Sequence, residues 1–302
     1  MNRHVVAGVD GSPPSLAAVR WAAGDAMRRE RGLLIVHVVD PWVFDQPLAT
    51  PPGFRESLSE RSAAVLAEAA GTAREHFPGL DTRTATLTGT VREELLIAAR
   101  DAETLVVGSR GLGGFLGLVL GSVSMGVAGH ARCPVVVVRD AGRAASGVPA
   151  AYGEIVVGHD ASPESDAALG YAFEEAARRG AVLRAIYAWQ VDVFLPMFAS
   201  YTSDLERIYD FGRSAAQDQL APWREKFPRV RLRDSVVRAH PVEALCQASS
   251  EADLLVVGSR GRGGLGSAVL GSVGHGVLHH AYSPVAVVRS RPLSPADGSP
   301  GG

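Results

Sequence analysis

The chain has 302 residues, more than a single domain usually contains, and 46% of them are hydrophobic, as is typical of globular proteins. A formal net charge of −2 excludes a protein that binds nucleic acid through a general basic field. No apolar run reaches the ~20 residues of a membrane-spanning helix, and two cysteines are too few for a disulfide framework. We therefore expect a two-domain cytoplasmic protein without a secretory leader and with neither nucleic-acid nor membrane partners.

The first half of the chain alternates short apolar runs with longer helical patterns. HVVAGV and LLIVHVV flank a helical pattern and predict a strand–helix–strand unit. A helix at about 55–76, the strand TRTATLT, the helix VREELLIAARDA and the strand TLVVGS follow, and the helix GSVSMGVAGHA precedes the last strand, CPVVVV. Apolar β-branched strands of this kind are typical of a parallel sheet covered by helices on both faces. This order predicts a five-stranded, doubly wound α/β domain.

The second half repeats the first at a constant offset of 150 residues. The offset relates Gly8 to Gly158 and Asp10 to Asp160, and the second copy follows the same element order from EIVVGH to PVAVV. Since solenoid repeats have periods of about 20–50 residues, this period indicates the duplication of a whole domain. The predicted fold is thus two tandem Rossmann-like domains, each a five-stranded parallel sheet.

Composition places the boundaries of these domains. The segment between the copies is rich in Ala, Gly and Ser, which predicts a linker at 141–152. The domains then cover 1–140 and 153–290, and the polar tail at 291–302 is expected to be disordered.

A glycine-rich string follows the fourth strand of each copy: GSRGLGGFLGLVLGS at 108–122 and GSRGRGGLGSAVLGS at 258–272. Ligands of open parallel sheets bind beyond the carboxyl ends of the strands, where the winding direction reverses. If the first and fourth strands are neighbours, this loop meets the GVDGS turn at that point. Glycines let backbone N–H groups approach an anion, and the following helix start favours negative charge. The string predicts a phosphate-binding loop, although a surface turn with tight helix–sheet packing is the alternative explanation.

Two other nucleotide motifs are absent from the sequence. No G-x-x-x-x-G-K-[ST] occurs, and no G-x-G-x-x-G follows the first strand. An acid stands there instead, Asp10 or Asp160. Its carboxylate is suited to a ribose or adenine donor or to a magnesium ion, or else it shapes the turn and helps to cap the following helix.

The pattern G-x2-G-x9-G-[ST] occurs in both glycine strings, and it resembles the ATP-binding signature of the universal stress protein family. The resemblance covers both halves nearly end to end and is closest to the tandem members from actinobacteria. It implies an ATP molecule across the switch point, with its triphosphate on the glycine loop and its adenosine near the first-strand aspartate and the second-strand end. Departures occur at Leu112, which is Arg262 in the second copy, and at Gly11, which becomes Ala161. The two sites are therefore expected to differ in affinity.

This resemblance and the loop chemistry together define the candidate nucleotide-binding residues. In the first copy they are Gly8, Asp10, Val38, Gly108, Ser109, Arg110, Gly111, Gly113, Gly114, Gly121, Ser122 and Val123. In the second copy they are Gly158, Asp160, Ala188, Gly258, Ser259, Arg260, Gly261, Gly263, Gly264, Gly271, Ser272 and Val273.

No convergent base with transition-state cations is visible, so no catalytic residue is predicted. The leading hypothesis is a regulator of stress response or signalling that binds ATP, with or without Mg²⁺. A slow ATPase or nucleotidyl-transfer enzyme and a scaffold with empty pockets are the alternatives. No metal site is predicted, because neighbours such as His279 and His280 do not face one ion on a helix.

The protein partner is not identifiable from the sequence. The last strands, Val135 to Val138 and Val285 to Val288, would lie at sheet edges and need a cover. Family members pair through these strands. We predict pairing within the chain first, as a pseudo-dimer, with a homodimer of tandem chains as the further assembly.

Overall fold

The structure is a computed structural model that describes residues 4–40, 53–111, 120–139, 152–189, 202–261 and 270–290. The predicted linker, apart from Tyr152, and the predicted tail lie outside these residues, as do Gly113, Gly114, Gly263 and Gly264.

Strands and helices alternate through both halves of the chain. The first domain contains β1 (Val5–Val9), α1 (Pro13–Arg28), β2 (Leu33–Val39), α2 (Phe54–His76), β3 (Thr82–Thr88), α3 (Val91–Ala98), β4 (Thr104–Gly108), α4 (Ser122–His130) and β5 (Val135–Val138). The second contains β6 (Glu154–His159), α5 (Pro163–Arg179), β7 (Val182–Trp189), α6 (Thr202–Lys226), β8 (Leu232–Arg238), α7 (Pro241–Ser249), β9 (Leu254–Gly258), α8 (Ser272–His280) and β10 (Val285–Val288).

The strands form one ten-stranded sheet in the order β3-β2-β1-β4-β5-β10-β9-β6-β7-β8. All pairings within each five-stranded half are parallel. The predicted fold class is therefore confirmed. The first strand of each half lies beside the fourth, as the site prediction requires. The winding direction reverses at this pair, which opens a crevice at the carboxyl ends of β1 and β4.

Two apolar layers hold the helices on the sheet. Helices α1 and α2 pack against Val5, Ala7 and Val9 on one face, whereas α3 and α4 pack against Val6 and Val107 on the other. The central strand β1 is buried throughout, which explains its continuous apolar run. The edge strand β3 alternates half-buried and exposed residues, which explains its threonines and arginine. The second domain repeats both layers.

The two halves meet through their last strands. β5 and β10 pair antiparallel, with Val136 opposite Ala286. This pairing within the chain covers the two edges that the sequence predicted to need a cover. On the α4/α8 face, Arg139 donates to the carbonyl of His279 at 2.7 Å, and Arg289 donates to the carbonyl of Gly129 at 3.4 Å. Each domain thus contacts the last turn of a helix of the other.

Opposite charges meet on the other face, where α1 and α5 approach each other. Asp25 and Glu175, which are related by the 150-residue offset, are both fully buried. Arg29 binds Asp25 at 2.7 Å and also contacts Glu175, and Arg179 binds Glu175 at 2.9 Å. An ion cluster of this kind is costly to desolvate and becomes very unfavourable when one partner is removed.

Candidate functional site

A cavity of about 480 Å³ lies at the carboxyl ends of the central strands of the first domain. Its volume is within the range of about 300–1,000 Å³ that small-ligand pockets occupy. Of the candidate residues, its lining contains Gly8, Asp10, Val38, Gly108, Arg110, Gly111, Gly121, Ser122 and Val123. The β1 turn and the start of α4, which are more than 100 residues apart in sequence, therefore meet around one space.

Asp10 is held by the turn that starts α1. Its Oδ1 accepts hydrogen bonds from the backbone N–H of Ser12 at 3.0 Å and from the Ser12 hydroxyl at 2.6 Å. Ser12 is also the N-cap of α1 and accepts from the Ser15 N–H at 3.4 Å. A role of Asp10 in shaping the turn is thus compatible with a role in binding a ligand, since one carboxylate oxygen is bonded within the turn while the residue also lines the cavity.

The motif glycines are needed for different reasons. A Cβ on Gly111 would lie 2.4 Å from Asp10 Oδ2, so a side chain there would collide with the carboxylate. A Cβ on Gly108 would lie 2.7 Å from the backbone of Pro14, so this glycine lets β4 pack closely against the start of α1. A Cβ on Gly121 would meet no atom nearer than 3.5 Å. The packing explanation therefore holds at Gly108, whereas Gly111 keeps space beside the carboxylate.

Backbone hydrogen bonds fix the start of α4 against β4. Ser109 donates its N–H to the carbonyl of Val138 at 2.7 Å and accepts from the N–H of Gly121 at 2.8 Å. The buried hydroxyl of Ser124 donates to the carbonyl of Gly108 at 2.6 Å. Ser109 and Ser124 thus position the helix start, where Ser122 is exposed. The N-cap, Gly121, makes no side-chain cap bond, so the first N–H groups of α4 are suited to an anion.

The apolar floor of the cavity contains residues that sequence reasoning missed. Val36, Val91, Leu95 and Leu120 line it, and a Cβ on Gly8 would lie 3.0 Å from the Leu95 side chain. Gly8 therefore makes room for Leu95. No local signal in the sequence of α3 showed that the core at this point opens onto the cavity.

The second domain repeats the polar geometry. Asp160 Oδ1 accepts from the N–H of Ser162 at 3.0 Å and from its hydroxyl at 2.5 Å. A Cβ on Gly261 would lie 2.4 Å from Asp160 Oδ2, and one on Gly158 would lie 2.6 Å from Leu245. Gly271 again donates its N–H to the carbonyl of Ser259, at 2.8 Å.

The remaining candidates of the second domain take the corresponding positions. Arg260 follows Ser259, Gly258 ends β9, and Ser272 and Val273 begin α8. Ala188 packs at the end of β7 on the α7/α8 face, as Val38 does on the α3/α4 face.

The two clefts differ behind the aspartate. His159, the counterpart of Val9, is buried and its Nδ1 lies 3.0 Å from Gln219 Oε1. Gln219 replaces Ala69 and donates to the carbonyl of Ser162 at 2.8 Å. Burial lowers the pKa of His159, so a neutral ring supports this turn at pH 7.

The two cysteines are made unreactive by burial. Cys133 and Cys246 are free and buried, and burial raises the pKa of the Cys133 thiol to about 11. Both are therefore protonated at neutral pH. Within the described ranges, no three His, Cys, Asp or Glu side chains are grouped to hold a metal ion. Across those same ranges, no helix has the length and hydropathy needed to cross a membrane.

Comparisons with known proteins agree with this architecture. A model of the universal stress protein family matches the chain twice, at residues 1–139 and 151–289. A universal stress protein of Mycolicibacterium smegmatis is 36% identical over 298 residues, covering 95% of this chain and 97% of that protein. One of Mycobacterium tuberculosis is 36% identical over 300 residues, covering 94% and 96%. The chain belongs to the universal stress protein family, as a member with two tandem domains, and the predicted resemblance is confirmed.

A solved structure shows the same fold over both domains. The crystal structure of a universal stress protein from Archaeoglobus fulgidus superposes with a TM-score of 0.67 at 21% identity. The match covers 96% of this chain and 97% of that one.

Proposed function

We propose that the chain binds one ATP molecule, with Mg²⁺ on its phosphates, in the cleft of each domain. We further propose that it acts in the cytoplasm as a regulator of stress response or signalling that follows nucleotide occupancy. The cavity of the first domain carries this proposal, because it joins a carboxylate, an uncapped helix start and an apolar floor in one space. These three surfaces match a ribose, a polyphosphate and a purine.

The polar end of the nucleotide belongs at the start of α4. Backbone N–H groups and the helix dipole favour phosphate there, and Arg110 adds a positive charge to the lining. Three or four charge-assisted hydrogen bonds of about 1.5–3 kcal/mol each are sufficient for micromolar affinity after the cost of association. Ser122, exposed at the first turn of α4, is the hydroxyl best placed to join them.

The nucleoside belongs between Asp10 and the apolar floor. Asp10 Oδ2 points towards Gly111, on the cavity side of the turn, and a carboxylate accepts hydrogen bonds from ribose hydroxyls. Val38 and Leu95 offer an apolar contact of the kind that a purine ring needs.

We propose binding rather than rapid turnover. Among the described residues that line the cavity, Asp10 is the single carboxylate, and the proposal places it on the ribose rather than beside the terminal phosphate. A general base for an attacking water has to be within hydrogen-bond reach of that water and free to accept its proton. The regulated output is then a change of conformation, of association between chains or of an unidentified protein partner.

The first experiment identifies the ligand. The purified full chain is denatured and the released small molecules are analysed by mass spectrometry, and stripped protein is then titrated with ATP by calorimetry. We expect released ATP and up to two sites per chain. Absence of binding in both halves refutes the ATP proposal, and rapid appearance of ADP would replace it with the ATPase alternative.

The second experiment assigns the sites. Gly111→Val and Gly261→Val should each abolish one site, because the new side chain collides with Asp10 or Asp160. Gly71→Val is the matched control, since a Cβ on Gly71 meets no atom within 4 Å. If the double variant is folded and keeps wild-type ATP affinity, the glycine loop has only a structural role.

A further inference from the structure

Two imidazole rings lie side by side on α8. His275 and His279 are four residues apart, so they share one face of the helix. Their ring centroids are 4.7 Å apart and the ring planes are inclined by 32°. His275 is exposed and His279 is half-buried, so the pair is open to solvent on one side.

This separation suits two nitrogen ligands of a single ion. With metal–nitrogen bonds of about 2.0–2.1 Å and tetrahedral angles, two imidazole nitrogens on one ion are about 3.3 Å apart. A centroid separation of 4.7 Å is compatible with ring nitrogens at this distance. The four-residue spacing therefore brings the two rings close enough to share one ion.

The pair occurs in one domain only. The counterparts of His275 and His279 in the first domain are Met125 and Gly129. The backbone carbonyl of His279 also accepts the hydrogen bond from Arg139 at 2.7 Å across the domain joint. An ion on the pair would therefore restrain the helix turn that receives this arginine.

We propose that His275 and His279 bind one divalent first-row transition ion, Zn²⁺, Ni²⁺ or Cu²⁺, with water in the remaining coordination positions. Imidazole suits these ions, whereas Mg²⁺ prefers oxygen ligands, so the site is distinct from the metal that accompanies a nucleotide. Two protein ligands and the nearby positive charge of Arg139 make it a site of moderate affinity that an external ligand can complete.

Calorimetry on the untagged, EDTA-treated full chain, without nucleotide, tests the proposal. We expect one ion per chain, with Cu²⁺ binding more tightly than Ni²⁺ or Zn²⁺ and Mg²⁺ not competing. His275→Gln and His279→Gln should each weaken binding by about tenfold or more, because each variant loses one of the two protein ligands. A tenfold change in affinity corresponds to about 1.4 kcal/mol. His280→Gln, which removes a neighbouring histidine outside the pair, should bind as the wild type does.

A spectroscopic measurement keeps the test independent of the variants. The paramagnetic resonance spectrum of the Cu²⁺ complex of the wild-type chain should show coupling to two imidazole nitrogens. Coupling to fewer than two, or unchanged affinity in either pair variant, overturns the proposal.

Discussion

The two domains build the same turn after their first strand from different residues. In the first domain, Gly11 has φ +84°, and a Cβ on it would lie 3.0 Å from Val65. In the second, Ala161 adopts φ +58°, and the counterpart of Val65 is the smaller Ala215. A left-handed residue is strained with any side chain, yet the second domain tolerates one. The space beside the turn, as well as its backbone conformation, therefore decides where glycine is required.

The same comparison extends to the two carboxylates at the joint. Asp25 is the shorter one, and burial together with the nearby Glu175 raises its pKa above the usual 3.8. Burial also disfavours the charge of Glu175, but Arg179, Arg29 and Arg178 outweigh this effect and lower its pKa below the usual 4.5. Glu175, which has the longer side chain, is therefore the main negative charge that stabilises the arginines of this cluster.

The largest expected effect separates these two residues. Glu175→Gln should reduce the free energy of unfolding by about 3–5 kcal/mol, because it leaves buried arginines without their main counterion. Asp25→Asn should cost much less, since the folded protein already disfavours the charge of Asp25. Urea unfolding of both variants at pH 7 measures the difference, and equal losses would contradict the assignment.

Acidification should reveal the same asymmetry. Glu175 has a depressed pKa in the folded state, so its contribution to stability is present above pH 4.5 and is lost as the pH falls through its folded value. Asp25 has a raised pKa in the folded state, so its effect on stability has the opposite pH dependence. Its contribution to stability is present below pH 3.8 and is lost as the pH rises through its folded pKa. Urea unfolding between pH 3 and 7 should therefore give a shallower acid loss in Glu175→Gln than in the wild type.

A substitution in the turn after β1 should have the next largest effect on stability. Gly11→Ala should destabilise the first domain by about 2 kcal/mol, combining left-handed strain with the contact to Val65. Adding Val65→Ala reproduces the second domain and should recover about 1 kcal/mol as a coupling energy in a double-mutant cycle. A coupling energy near zero would show that Val65 does not decide the need for glycine.

Substitution of the two arginines at the domain joint should reduce stability by a smaller amount. Arg139 is half-buried and donates to the carbonyls of Leu278 and His279, whereas Arg289 is exposed and donates to Gly129 at 3.4 Å. Arg139→Gln should cost about 1 kcal/mol, after allowance for solvent screening. Arg289→Gln should cost less, and thermal unfolding that ranks the two variants in reverse order would contradict this.

The smallest expected effect is an increase in stability. Ala161→Gly removes left-handed strain but increases the freedom of the unfolded chain, so the net stabilisation should be about 0.5–1 kcal/mol. Comparison with Gly11→Ala in the same urea series shows whether the two turns differ in strain. Destabilisation by Ala161→Gly would mean that the Ala161 methyl group contributes packing that outweighs its strain.

Local patterns predicted most of the fold. Apolar β-branched runs, helical spacing and the 150-residue offset predicted the strands and their succession along the chain. The neighbouring positions of β1 and β4 were a condition taken from the usual order of such sheets, and the structure meets this condition. Helix ends were less accurate: α3 was predicted to extend through residue 102 but ends at Ala98, where the chain turns back to enter β4. The Asp10 turn and Gly111 were found because both follow buried strands whose carboxyl ends share one edge of the sheet.

The duplicated α/β domains and the expected position of the cleft could be predicted from the sequence, because local periodicity marks the strands and helices and the 150-residue offset marks the repeat. Tertiary structure alone decided that Asp25 meets Arg179, that Leu95 forms the cavity floor, and that Arg139 reaches α8. The four-residue spacing of His275 and His279 places both on one helix face, so this pair is visible in the sequence. The other contacts join residues that are distant in sequence, and which helix faces meet depends on the packing of the whole sheet rather than on any local propensity.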